Sequence, residues 1–342
     1  MSHTSKRSSP RSLPPVEQRQ IEEDDAVFEA CLEHAQRHAA GPIEGLYGPN
    51  SLAWQIFREP LVLLGGLRAI ALQVAHPAVA AGVAQYSDFE KDLLGRARRT
   101  YSSMYHLVFG DLRQAIGVAR RLHNIHNQVR GVVEADTAGP WAGRPYRAND
   151  PALLLWVWAT LFETPLLLYE KIVRPLTLAE KEGYYNEGRL TVTLLGVPPV
   201  AVPANLADFY AYYHEMLSGS ELVVGTTGAS LARALFDSPF TPPLIDAILT
   251  AGLLPPRFRE AFGLRWGQRE QARYERLLRT LRWSTRLAPA GLRAVPAYHQ
   301  ALARVTHQQG EGRPWIGRLI NRLQPALPIP FSIRPSQDVT VR

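Results

Sequence analysis

Two histidines three positions apart, His123 and His126 in RRLHNIHNQVRG (residues 120–131), carry the spacing most able to do chemistry in this chain. On a helix, residues three apart are neighbours on one face. The pair could therefore chelate one metal ion, exchange protons, or be two polar groups on a wet surface. A protein-built metal site also needs a nearby carboxylate or third histidine, and no HExxH or similar two-ligand helix motif is present. Cys31 is the single cysteine, which excludes an internal disulfide and thiolate-based zinc or iron–sulfur sites.

The helix that must carry the pair begins after Gly110-Asp111 and is expected to end near Gly131. Stepping roughly 100° per residue from Ala119, its apolar residues Leu112, Ala115, Ile116, Val118, Leu122, Ile125 and Val129 occupy an arc centred at about −30°. His126 falls at about −20°, near the middle of that arc, and His123 at about +40°, towards its polar border. This geometry predicts that His126 points inward and His123 sits at the edge. A buried imidazole needs a partner for at least one nitrogen. A core histidine satisfied by a carbonyl or carboxylate and a metal or haem ligand both meet that need, and helical spacing does not choose between them.

The surrounding chain reads as helical and soluble. Asp150-Pro151 starts a helix that is apolar nearly all round, ALLLWVWATLF. FYAYYHEML, Pro242–Leu254 and the amphipathic, arginine-rich Gln268–Thr285 are further helices, joined by Pro/Gly-rich connections such as AGPWAGRPYRANDP. Two apolar runs need a membrane test. Pro60–Val83 is broken by Arg68, Gln73, His76 and Pro77, and Pro151–Phe162 stops short at Glu163 and Pro165, so neither reaches a membrane span. Strand signals are sparse, there is no internal repeat, and a single all-α domain over 26–323 is the expectation. A polar, Pro/Ser-rich tail (1–25) precedes it and an irregular tail (324–342) follows it. The net charge of +7 comes almost wholly from scattered arginines, with only four lysines, so a nucleic-acid partner has little behind it. With no signal-peptide pattern or membrane segment, a cytoplasmic location is expected.

A longer pattern adds to this. GLYGPNSLAWQIFREPLVLLGGLRAIALQVAHPAVAAGVAQYSDF (45–89), GRARRT (95–100), VFGD (108–111), HNQVRG (126–131), GRPYRANDPALLLWVWATL (143–161), LLGVPP (194–199) and LLPPRFREAFGL (253–264) occur in consistent order. Together they resemble the haem-dependent oxygenases that include the bacterial latex clearing protein and the fungal mycophenolic-acid-pathway oxygenase. The resemblance implies an all-α fold with a globin-like core around haem b. It implies dioxygen chemistry on an apolar, isoprenoid or other alkene-bearing substrate, with oxidative C=C cleavage. It also implies that His126 is the proximal iron ligand and that His123 supports the pocket.

By the same resemblance, Arg96 and Thr100 in GRARRT line the distal side, where guanidinium and hydroxyl groups suit a propionate or polarised dioxygen. His76, in the His-Pro pair of QVAHPAVAAG, is a candidate for haem contact, against a plain role at a helix end. Two departures stand out. Arg99 replaces a lysine able to occupy the sixth iron position, and guanidinium offers no lone pair for that purpose. Trp158 replaces a common family histidine. For the acid/base carboxylate, Glu90 is the nearest candidate. The competing class is an all-α protein that holds haem or a lipid-like ligand without turnover.

Overall fold

The computed structural model describes residues 15–86, 93–135, 137, 139–237, 243–287 and 293–308. Fourteen α-helices and one two-stranded hairpin make up the regular structure there, which agrees with the all-α expectation. In chain order the helices are α1 (Pro15–His38), α2 (Leu52–Phe57), α3 (Gly66–Val74), α4 (Pro77–Tyr86), α5 (Leu93–Phe109), α6 (Leu112–His126) and α7 (Pro151–Ile172). They continue with α8 (Leu178–Leu194), α9 (Leu206–Ser218), α10 (Thr226–Phe236), α11 (Pro243–Leu253), α12 (Pro256–Ala261), α13 (Gln268–Leu287) and α14 (Pro296–Gln308). The hairpin, β1 (Arg130–Val132) and β2 (Pro145–Arg147), pairs antiparallel with Gly131 opposite Tyr146.

The central helix is α7. Asp150 caps it by accepting from the Ala152 N–H, and Pro151 sits in its first turn. Trp156, Ala159 and Leu168 have no accessible surface, and Phe162 and Leu166 have almost none. Trp158 stacks on Phe162 with ring centres 5.0 Å apart and meets Phe209 edge-on at 5.7 Å. The residue that departs from the family histidine is thus part of an aromatic core shared with α8 and α9.

Glu163 and Pro165 do not interrupt this helix as expected from the sequence: it runs on to Ile172. Charge does not end it because the Glu163 carboxylate is paired inside the protein, as described below. Pro165 removes the hydrogen bond to the Leu161 carbonyl, and Leu161 is on the side of α7 that remains open to water, 38% exposed. At 22 residues α7 is long and apolar enough to cross a membrane, yet most of it is buried against the other helices. The earlier apolar run is a 3-10 turn (Pro60–Gly65) followed by α3, with a break of 106° at His76-Pro77 before α4.

The amino-terminal boundary also moves. Residues from Pro15 onward are helical, so α1 includes eleven residues of the tail expected on composition. Phe28, Cys31, Leu32 and Ala35 pack α1 onto the body, and the Cys31 thiol, pushed up to about 11 by burial, is no nucleophile. The polar first half of α1 is anchored instead by ion pairs to α6 and the hairpin. The expected carboxy-terminal tail, 324–342, lies outside the described residues.

Candidate functional site

The end of α6 is built by specific local choices. Asp111 accepts from the Gln114 N–H while Gln114 returns a bond to the Asp111 N–H, a reciprocal cap that starts the helix where the sequence places it. Gly45, at φ +84°, lets the preceding loop press on this start, since a β-carbon there would lie 2.1 Å from the Gly110 carbonyl oxygen. The helix stops at His126, five residues before Gly131. Gly131 serves the hairpin instead, where a β-carbon would lie 2.7 Å from Gln85 Oε1 and 3.0 Å from the Tyr146 hydroxyl.

His123 is the more buried of the two histidines, 6% exposed, which corrects its expected place at the polar border. The reason is α1, which covers that side of α6. The His123 ring stacks on Phe28 with centres 4.1 Å apart, and its Nε2 lies 2.6 Å from Asp25 Oδ1. Asp25 also accepts from Asn127 Nδ2 at 2.9 Å. Partial burial works against the Asp25 charge, but the bonds from His123 and Asn127 prevail and hold the carboxyl below its ordinary value. Further along α1, Glu29 pairs with Arg120, Asp24 with Arg147, and Glu17 with Arg130 at 3.9 Å. An acidic edge of α1 thus clamps α6 and the hairpin around the histidines.

His126, expected at the centre of the apolar face, keeps part of its surface accessible. Its ring is nevertheless desolvated, and this burial, reinforced by repulsion from His123, pushes its pKa down to about 4, with the Asn149 side chain opposing the shift. The imidazole is therefore neutral at any physiological pH. Asn149 is buried; its Nδ2 donates to the His123 carbonyl at 3.1 Å and to Asn127 Oδ1 at 2.7 Å. Its Oδ1 has no hydrogen-bond partner among the described residues.

His76 is almost wholly buried and works at a helix end. Its Nδ1 accepts from the Ala78 N–H at 3.3 Å, in the first turn of α4, and its ring meets Trp141 edge-on at 4.8 Å. Burial pushes its pKa from 6.5 down to about 4. The sign follows from linkage. The unfolded chain takes up the proton more readily, so stability is full above pH 6.5 and is lost as pH falls towards 4, by on the order of 3 kcal/mol for this group. His76→Asn keeps an acceptor for the Ala78 N–H without the titration. Urea unfolding followed from pH 7 to 4 is expected to show a shallower loss of stability in this variant.

Thr100 lies on α5, exposed, as are Arg98 and Arg99. Arg96 is one turn earlier on the same helix, and its side chain lies outside the described residues, as does Glu90. Among the described residues no three His, Cys, Asp or Glu side chains cluster as a metal site.

A second polar centre, not expected from the sequence, lies between α3 and α7. Arg68 of α3, 3% exposed, donates from Nη1 to Glu163 Oε2 and Thr164 Oγ1, both at 2.5 Å, and from Nε to the Leu253 carbonyl at 3.0 Å. The Tyr213 hydroxyl donates to Glu163 Oε2 at 3.2 Å. Desolvation opposes the Arg68 charge, but Tyr213 and Glu163 outweigh it and the guanidinium pKa is raised. The signal was present as single charges interrupting two apolar runs. Those charges are each other's partners.

These features define an all-α domain with a desolvated imidazole at one helix end and an ion-paired core. Residues 54–283, more than half of the chain, match the family described as ER-bound oxygenase mpaB/B'/Rubber oxygenase, catalytic domain, and the chain belongs to that family. Two mycobacterial relatives, the uncharacterized proteins Rv2237 of Mycobacterium tuberculosis and Mb2261 of Mycobacterium bovis, are each 29% identical over 237 residues. Each alignment covers 64% of this chain and 87% of the relative. No solved structure matches it significantly. The matched region runs from within α2 to within α13 and contains both histidines, whereas α1, with Asp25, lies outside it.

Proposed function

We propose that the protein is a haem b-dependent oxygenase that uses dioxygen on an apolar, isoprenoid or other alkene-bearing substrate, with His126 as the residue that would hold the iron. The observation that carries this reading is the state of His126 in a chain of this oxygenase family. It is a partly accessible imidazole at a helix end, kept neutral down to a pKa of about 4. A bare divalent ion would require several protein donors around it, whereas haem carries its own nitrogen donors and would need one protein imidazole. The unsatisfied Asn149 Oδ1 supports the same reading, because a ligating histidine commonly donates its other ring N–H to such an acceptor.

In this reading the chain's own groups divide the work. His126 would hold the cofactor, and Asn149 Oδ1, which has no other partner among the described residues, would be an acceptor for its second ring nitrogen. His123 and Asp25 position the helix end. Arg96 and Thr100, one turn apart on α5, would be the hydrogen-bond donors for a propionate or for polarised dioxygen, and Arg99 would contribute charge without the ability to ligate. When bound, the haem supplies dioxygen activation, with cleavage of a C=C bond to carbonyl products as the expected outcome. The test is the visible spectrum of the full chain after haem supplementation, followed by incubation with isoprenoid alkenes under oxygen. A Soret band and oxygen-dependent carbonyl products are expected. Absence of the band overturns the haem assignment, and a band with no products from any alkene overturns the catalytic one.

A further inference from the structure

We propose that the outward face of α13 docks on an anionic lipid surface. Helix α13 buries one face, with Tyr274, Leu278, Leu281 and Thr285 against α7 and α11. With Trp283 at zero and roughly 100° per residue, those core residues lie within about 40° of the opposite pole. On the outer side Arg276 falls at about +20°, Arg279 at about −40°, Arg286 at about −60°, Leu287 at about +40° and Arg273 at about +80°. Trp283 and Leu287 are therefore framed by arginines. They are also 62% and 61% exposed, among the most open large apolar residues of the described chain.

The charge on this face is in clear positive excess: Glu275, at about −80°, is the one carboxylate of the helix that borders it. All four of these arginines are exposed, and none pairs with a carboxylate among the described residues. Of the two acidic residues of the helix, Glu270 lies at about +140°, towards the buried side, and accepts from the Gly267 N–H, while Glu275 accepts from Gln271 Nε2, so these arginines outnumber the carboxylates on the outer face four to one. A helix presenting arginines around a tryptophan and a leucine complements a bilayer surface with phosphate headgroups. The guanidinium groups reach the phosphates, and the indole and leucine enter the boundary between headgroup and acyl chain. Nucleic acid would satisfy the arginines but would leave Leu287 in water, so lipid is the better match. This inference rests on α13 alone and is independent of the role of His126.

The experiment is flotation of the full chain with vesicles of phosphatidylcholine alone and of phosphatidylcholine mixed equally with phosphatidylglycerol. Binding to the mixed vesicles and not to the neutral ones is expected, falling as salt rises. Both Trp283→Ser/Leu287→Ser and Arg276→Glu/Arg279→Glu are expected to weaken it by more than about tenfold. Their thermal unfolding should stay that of the parent, since all four positions are exposed. Arg19→Glu/Arg37→Glu on α1 should leave binding unchanged. Failure to float with the mixed vesicles overturns the proposal, as does binding that survives both α13 variants. Loss with the α1 variant would show bulk charge instead of a docking face. Tighter binding to DNA or RNA than to the mixed vesicles would assign the face to nucleic acid.

Discussion

His126→Ala is expected to abolish the Soret band of the haem-supplemented protein while leaving the helical fold intact. The ring's neutrality is what makes the expected loss large. A histidine with an ordinary pKa competes with protons for its own lone pair near neutrality, whereas desolvation has already removed that competition here. Losing the one protein donor proposed for the iron should weaken haem retention by more than about 100-fold, beyond the range seen when only a supporting residue is lost. The structural cost should be small, because His126 is the last residue of α6 and stays partly accessible. Absorbance titration with haem measures the first quantity and circular dichroism melting the second. Added imidazole should restore the band in His126→Gly. An alanine variant that binds haem as well as the parent would make the assignment wrong.

A companion substitution separates ligand from support. Asp25→Ala removes the acceptor for both His123 Nε2 and Asn127 Nδ2 but touches nothing on His126. Asp25 is about half exposed, 52% for its side chain, so its removal should cost on the order of 1 kcal/mol. Haem should still bind, with a broadened or shifted band because the end of α6 is less firmly held. Faster amide exchange at residues 127–131 than in α13 would locate the effect. If Asp25→Ala removed the band as completely as His126→Ala, the division between ligand and support would fail.

The unequal legibility of the site has a physical origin. Caps and turns depend on residues a few positions apart, and Asp111, Asp150 and the buried character of α7 were all readable for that reason. Burial of His123 depends on a helix almost a hundred residues away. A helical wheel places a side chain relative to its own helix axis and contains no term for α1 arriving over the polar edge. The polar first half of α1 was invisible for the reciprocal reason. Its helix is held by Asp24, Asp25 and Glu29 meeting partners that composition does not reveal. His76 shows a milder case: the His-Pro pair marked the break before α4, and the cap it forms there is local. Arg68 and Glu163 were each conspicuous, but their pairing spans 95 positions and needed the fold.

Arg68→Met is expected to be the most destabilising single substitution in the core, costing about 3–5 kcal/mol in urea unfolding at neutral pH. Methionine fills similar volume, so the loss is electrostatic. The carboxylate of Glu163 stays buried without its counter-ion, and the Leu253 carbonyl and Thr164 hydroxyl lose a charged donor. A domain of this kind has only about 5–15 kcal/mol of total stability, so poor soluble yield is part of the expectation. Removing both charges should behave differently. In Arg68→Met/Glu163→Leu no charge is left buried alone, and much of the loss should return, because a buried pair gives back in attraction little more than its desolvation cost. Recovery of at least half the single-variant loss would identify the pair as mutually dependent groups. If the double variant were instead as unstable as the sum of Arg68→Met and Glu163→Leu measured separately, the two would not be coupled. The stability of the α3–α7 contact would then have to come from Thr164, Tyr213 and the apolar packing around them.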